Sequence, residues 1–223
     1  MTLSSGEIEK LEAAINEYDF PAIYFDFDNG TGKLARNMAE IENVIADQLR
    51  SREIERTKHG LINILYWGYA RDGRRNDKIS RFLNATTDQH INNFQALVKD
   101  GNIPSIMDIY DLKMPQYSGM SFISKILMFL DPKNYCVLDR KISKLRTHGS
   151  LKSLNSLVFS PPREARIRIT HHNEAVYNKW RKECAAISQE YFQNKYRVVD
   201  IERGFFNLIQ QNLLDARAIY NNA

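Results

Sequence analysis

No stretch of this 223-residue chain approaches the ~18 consecutive apolar residues that a bilayer span requires. No cationic segment followed by an apolar core opens it, so neither secretion nor membrane insertion is expected. Only two cysteines are present, Cys136 and Cys184, and their spacing builds neither a disulfide framework nor a CxxC metal site. Each reads as a small apolar residue in a reducing cytoplasm. Internal repeats and low-complexity linkers are also missing. What is there is ordinary in bulk. A hydrophobic share of 43% supplies a core for one large domain or two small ones.

The net charge of +4 favours an anionic partner only mildly, but the basic residues are grouped. Arg71, Arg74, Arg75, Lys78 and Arg81 form one cluster, Arg140, Lys141, Lys144, Arg146 and Lys152 a second, and Arg163, Arg166 and Arg168 a third. Converging on one face, they would neutralise a phosphate backbone. The plainer alternative is a solvated basic surface.

Along the chain the dominant period is helical. Residues 6–17 place Ile8, Leu11 and Ile15 on one stripe, with Ser4 or Ser5 as cap. Residues 22–27 are short, aromatic and strand-like. The following DFDNGTGK invites a phosphatase nucleophile loop or a phosphate-binding loop, yet it lacks the GxxxxGK[ST] spacing and no strand–helix alternation follows. A turn into the next helix is the better reading. That helix is expected over 34–55, followed by a buried central one over 60–69. Shorter helices are expected over 78–83, 88–99, 106–112, 140–147 and 152–158, and long ones over 173–191 and 199–214. Ser160-Pro161-Pro162 is the strongest loop signal. The expectation is an all-α, two-lobed protein, treated as a single unit over 1–223 with a less certain N-terminal helical part over 1–55.

The stretch around which the chain is organised is Met114 to Ile142, MPQYSGMSFISKILMFLDPKNYCVLDRKI. A turn with Pro115 and Gly119 leads into an apolar helix carrying Lys125. An extended piece, Tyr135 to Leu138, then precedes Asp139. A lysine among Phe122, Ile123, Ile126, Leu127 and Phe129 is costly unless its ammonium escapes or gives up its proton. A buried neutral amine is a nucleophile, and a following aspartate is suited to orient it and to stabilise a positive sugar carbon. The turn offers backbone N–H groups at a helix N-terminus to a phosphate. The structural alternative is a buried ion pair or a snorkelling lysine.

Turn, apolar helix with lysine, extended piece and aspartate, in that order, resemble the DNA glycosylases with a helix-hairpin-helix motif. MPQYSGM is similar to the hairpin, and YCVLDRKI to the segment bearing the shared aspartate. SFISKILMFLDP followed by YxVxD resembles the bacterial and archaeal 8-oxoguanine-glycosylase-like branch. The resemblance extends loosely over 61–208. It implies a helical bundle with the helix-hairpin-helix motif and a cleft between lobes. It further implies base-excision repair of an oxidised purine, with Lys125 as Schiff-base nucleophile, Asp139 as activating carboxylate and possible AP-lyase activity. Double-stranded DNA is the implied partner, the protein a cytoplasmic, nucleoid-associated monomer, and no cofactor is required. Such enzymes stack a flipped base between side chains. Phe129 would form one wall and Phe205 or Phe206 the other, with Glu202 or Asp200 accepting from the base and Trp67 a further pocket residue. Gln116, Tyr117, Ser118, Gly119, Arg140 and Lys141 would contact the DNA backbone.

The chain departs from the pattern twice. Gln116 stands where the hairpin usually has its first glycine, leaving the turn to Gly119. Ser121 stands where the familiar enzymes place the lysine, four residues before Lys125. No four-cysteine cluster pattern is present, and His171-His172 has no third ligand in sequence, so no metal is expected. Two alternatives remain, a glycosylase for a modified base in foreign (phage) DNA and a catalytically inactive DNA-binding module.

Overall fold

The computed structural model describes residues 2–160 and 166–223; Pro161, Pro162 and Arg163 lie outside the described residues. Among the described residues, ten α-helices and one two-stranded hairpin supply the regular structure apart from short 3-10 turns, so the fold class is all-α. The chain forms two compact units. The middle unit is Phe20–Asp131, and the terminal unit joins Met1–Asp19 to Pro132–Ala223. The unit limits fall at 19/20 and after Asp131, the latter within the stretch 114–142.

In the middle unit, β1 (Ile23–Asp26) pairs antiparallel with β2 (Thr31–Leu34), Asp26 opposite Thr31. The segment expected as a turn into a helix is thus a hairpin tip and its return strand. Asp26 builds the tip. Its Oδ1 accepts from the backbone N–H of Asp28 (3.1 Å) and Asn29 (3.2 Å), and Gly30 takes φ +64°. That carboxylate serves its own turn rather than a nucleophile loop.

The single helix expected over 34–55 is shorter. Asn37 caps α2 (Met38–Leu49) by accepting from the Glu40 N–H at 3.0 Å, and residues 50–53 separate it from α3 (Ile54–Gly68). On α3, Leu61, Ile64 and Leu65 are fully buried, as is Asn63, which accepts from Phe25 N (2.7 Å) and donates to Phe25 O (3.2 Å). The hairpin is clamped to the helix by that amide. The unit continues with α4 (Arg75–Ala85), α5 (Asp88–Val98), α6 (Ile106–Asp111) and α7 (Met120–Leu130). Helix α7 packs on α2, α3 and α6, and its last carbonyl, Leu130 O, accepts from Arg50 Nη2 at 2.8 Å.

In the terminal unit, α1 (Ser5–Asn16) begins with a capping box between Ser4 and Glu7. It packs on α9 (Val198–Gln211), beside α8 (His171–Phe192) and α10 (Leu213–Asn222). The helices approach so closely at Gly204 that a Cβ there would stand 2.5 Å from Ile15 Cγ1 and 3.0 Å from Leu11 Cδ1. The expected helices over 140–147 and 152–158 contract to 3-10 turns, Ile142–Leu145 and Ser153–Ser156. The final helix, expected to run to Leu214, instead ends at Gln211. Asn212 then accepts from the N–H groups of Leu214 (3.0 Å) and Asp215 (3.4 Å) and starts α10. Upstream, the carbonyls of Pro132 and Lys133 accept from Val199 N and Val198 N, both at 3.3 Å. Otherwise unpaired first-turn donors of α9 thereby fix the segment that leads to Asp139.

Candidate functional site

The connection between α6 and α7, residues 112–119, is left-handed at Lys113 (φ +52°) and at Gln116 (φ +66°). Gly119 is extended, φ −130°, and acts as N-cap of α7. The expectation that the turn relies on Gly119 is therefore corrected. The conformation that favours glycine is at 116, and a glutamine bears its cost of about 1–2 kcal/mol. Ser118 is exposed and Gln116 half-buried. Tyr117 is buried. It is 1% exposed and donates its hydroxyl to Leu61 O at 2.5 Å, with Phe82 and Phe122 against its ring. Its predicted backbone-contact role is withdrawn because its side chain anchors the turn to α3.

Lys125 is buried, 7% exposed, in the middle of α7. Its stem runs back along the helix, as helical side chains do. Nζ donates to Ser121 Oγ at 2.8 Å and to Ser121 O at 3.2 Å, and lies 4.9 Å from the centre of the Phe122 ring. Burial without an outlet to solvent would be costly, and these oxygens and the ring face offset part of that. The amine is thus delivered to the side chain of residue 121, one turn before its own Cα. Phe129 is fully buried, and Trp67, 3% exposed, meets it edge-on at 5.2 Å. The two predicted pocket aromatics are neighbours, but as core. Trp67 Nε1 is buried without a hydrogen-bond partner among the described residues.

Asp139, in the terminal unit, is half-buried. Its Oδ1 accepts from the backbone N–H of Lys141 (2.8 Å) and Ile142 (2.9 Å) at the head of the 3-10 turn. Among the described residues its Oδ2 has no hydrogen-bond partner. The turn's backbone thus holds the carboxylate through one oxygen. Lys141 Nζ lies 4.1 Å from the centre of the Phe206 ring, and Phe206 meets Tyr18 edge-on at 6.1 Å. Arg203, 4% exposed, lies 5.2 Å from the centre of the Tyr18 ring. The Tyr18 hydroxyl is held above its usual range. Burial is the largest cause, and the carboxylates of Glu202 and Asp139 add to it against the pull of Arg203. Tyr18 therefore belongs to the surroundings of Asp139. Sequence reasoning missed it because it follows α1, far from Asp139 in the chain.

The remaining predicted residues divide. Glu202 is 3% exposed and close to Tyr18. Phe205 is core, meeting Trp180 at 5.9 Å and Tyr220 at 5.7 Å, so of the two phenylalanines only Phe206 reaches the group around Asp139. Asp200 is withdrawn as a base acceptor. Both its oxygens bond Arg197 at 2.8 Å, in the capping box of α9, and Arg203 stands 3.5 Å away. Arg140 is exposed.

Among the described residues no group of histidine, cysteine, aspartate and glutamate could hold a metal, and no helix is long and apolar enough to cross a membrane. Cys136 and Cys184 are free and buried, and burial pushes both thiols up. No family model, curated protein or solved structure matches this chain. What it does has to be argued from its own side chains.

Proposed function

We propose that the protein is a lysine-dependent DNA glycosylase acting on an oxidised purine, 8-oxoguanine, with AP-lyase activity. The observation that carries the reading is the amine of Lys125. It is buried on an apolar helix, yet brought within 2.8 Å of the Ser121 side chain, the position that bears the lysine in the enzymes this stretch resembles. The four-residue shift, roughly 6 Å along the helix, is made good by the length of the side chain. The left-handed residue at Gln116 supports the hairpin comparison in the same way, because the missing glycine falls on the backbone position that would use one.

In this reading neutral Lys125 attacks the sugar C1′ of the extruded nucleotide. The C1′–N bond breaks, its electron pair leaves with the base, and the base takes up a proton. Asp139, oriented by the Lys141 and Ile142 N–H groups, stabilises positive charge on the sugar. Loss of a proton from the amine and opening of the sugar give the Schiff base. β-Elimination then removes a proton from C2′ and breaks the C3′–O bond, whose electron pair leaves with the 3′-phosphate.

Borohydride should trap a covalent adduct with duplex containing 8-oxoguanine, and Lys125→Gln should abolish it while circular dichroism stays unchanged. An adduct persisting in that variant sinks the assignment. Asp139→Asn should lower single-turnover base release by about 10²–10⁴-fold with duplex binding retained. Salt-sensitive duplex binding without base release from any oxidised or phage-type modified base would make the protein a binding module instead.

A further inference from the structure

The terminal unit contains a cavity of about 610 Å³ whose wall starts at Arg140, near the end of the Lys125 stretch, and draws its other residues from further along the chain. Arg140, Lys144, Arg146, His148 and Arg217 line it, and no aspartate or glutamate is among the described residues of its wall. The volume lies within the ~300–1,000 Å³ of small-molecule sites, but the lining is cationic where such sites are mostly apolar. The charges come from three places in the chain, the segment after Asp139, the loop beyond it and α10. The fold has gathered them.

It also holds them. Arg217 donates through Nε to Lys144 O at 2.8 Å. Thr147 N donates to Asn155 Oδ1 at 2.7 Å, and Asn221 Nδ2 to Thr147 Oγ1 at 2.9 Å. Phe159 forms an aromatic wall with the Arg146 guanidinium 4.5 Å from its ring centre. Phe159 is itself fixed. The fully buried Asn173 of α8 accepts from Val158 N (2.9 Å) and donates to Val158 O (2.7 Å) and Arg168 O (2.8 Å). A wall fixed in advance loses little freedom on binding an anion, and its gathered positive charge favours one.

We propose that this cavity is a binding site for the phosphate groups of nucleotides. Guanidinium forks match phosphate oxygens in pairs, and an ammonium adds a point charge. The flat Phe159–Arg146 pair gives a base a surface to stack on, the combination of aromatic wall and cationic groove that holds single strands. The site does not depend on base excision. It rests on the nucleic-acid reading only for a strand, rather than a free nucleotide, as the expected source of the phosphates.

The test uses the full chain, undamaged fluorescein-labelled single strands and duplexes, and a nucleoside diphosphate as competitor. The double variant Lys144→Glu, Arg140→Glu alters two exposed side chains. It should weaken strand binding at least tenfold and flatten the salt dependence of log K by about two. Arg217→Gln is a second variant, with a smaller loss in the same direction. A diphosphate that competes as well as a strand, in the wild type alone, identifies free nucleotides as the source; competition by strands only identifies nucleic acid. Unchanged binding of both ligand types in both variants overturns the proposal. Lys125→Gln should leave this binding intact. An excision failure with the charge effect present thus counts against the glycosylase reading alone, and trapping that survives with no charge effect counts against this site alone.

Discussion

At Gln116 local conformation and residue type disagree, since φ +66° is a conformation that side chains with a Cβ rarely adopt. A left-handed glutamine costs about 1–2 kcal/mol, and a glycine costs part of that back through the unfolded chain. Gln116→Gly should therefore be neutral to stabilising by up to about 1 kcal/mol, whereas the β-branched Gln116→Val should destabilise by at least about 1 kcal/mol. Urea midpoints would decide it, and equal effects of the two changes would contradict the geometry. Asp200 has the opposite character, a residue well suited to its place. Burial alone would raise its carboxyl, but the Arg197 hydrogen bonds and the charges of Arg197 and Arg203 bring it below the ordinary 3.8. A depressed carboxyl contributes stability that is present above its unfolded value and lost as pH falls through the folded one. Asp200→Ala should thus cost roughly 1–2 kcal/mol at neutral pH. The difference should close as the pH drops below 3.8. Thermal melts of both proteins between pH 2 and 7 measure it, and a gap independent of pH would mean the cap acts without its charge.

At the scale of elements, Gly204 sets the distance between α1 and α9. A valine there would drive into Ile15 and Leu11, and the helix backbone leaves those side chains few other rotamers. Gly204→Val should destabilise by about 1–3 kcal/mol and expose amides of α1 to hydrogen exchange before those of α8; uniform exchange would show that the contact is soft. The same scale shows what the sequence could and could not reveal. Helix α7 was legible because its apolar residues cover nearly every position from Ile123 to Leu130. The break between α2 and α3 was not, because residues 50–53 contain neither proline nor glycine and the interruption is held by Ser51, whose Oγ accepts from Glu53 N at 3.1 Å and whose carbonyl accepts from Thr57 Oγ1 at 3.0 Å. Asn212 hides the start of α10 for the same reason. The hairpin at β1–β2 was missed because half its return strand, Gly32-Lys33, carries no strand-forming side chain. In the site, Lys125 and Asp139 stood out because their types are unusual beside their neighbours. Tyr18 and Arg217 did not, since they join their groups only through tertiary packing.

For the whole molecule, the division into units makes a sharper demand than composition does. The middle unit is one continuous segment, Phe20–Asp131, and the terminal unit is two pieces. A fragment spanning 20–131 should unfold cooperatively in urea by itself. A fragment spanning 132–223 should lose the fixed packing of Trp180 until a peptide of residues 1–19 is added and covers α9. Near-ultraviolet circular dichroism follows that restoration, and a 132–223 fragment already native without the peptide would show that α1 is dispensable. The neighbours of Asp139 share the dependence, because Tyr18 arrives with that first segment.

The contact of Leu11 and Ile15 with Gly204 spans nearly the full length of the chain, and that has a meaning for synthesis. On the ribosome α1 emerges before the middle unit and its partner α9 only after it, so an amphipathic helix waits unpaired while every residue of the middle unit is added. At about 5–20 residues per second, the wait lasts on the order of ten seconds or more. During it Leu11 and Ile15 are sticky surface in search of shelter, and the middle unit, already able to fold, is the nearest protein. The capping box at Ser4 and Glu7 keeps the waiting segment helical, and its charged face keeps it in water. The group around Asp139 can form only once α9 has emerged, because Phe206 on that helix joins Tyr18 to Lys141.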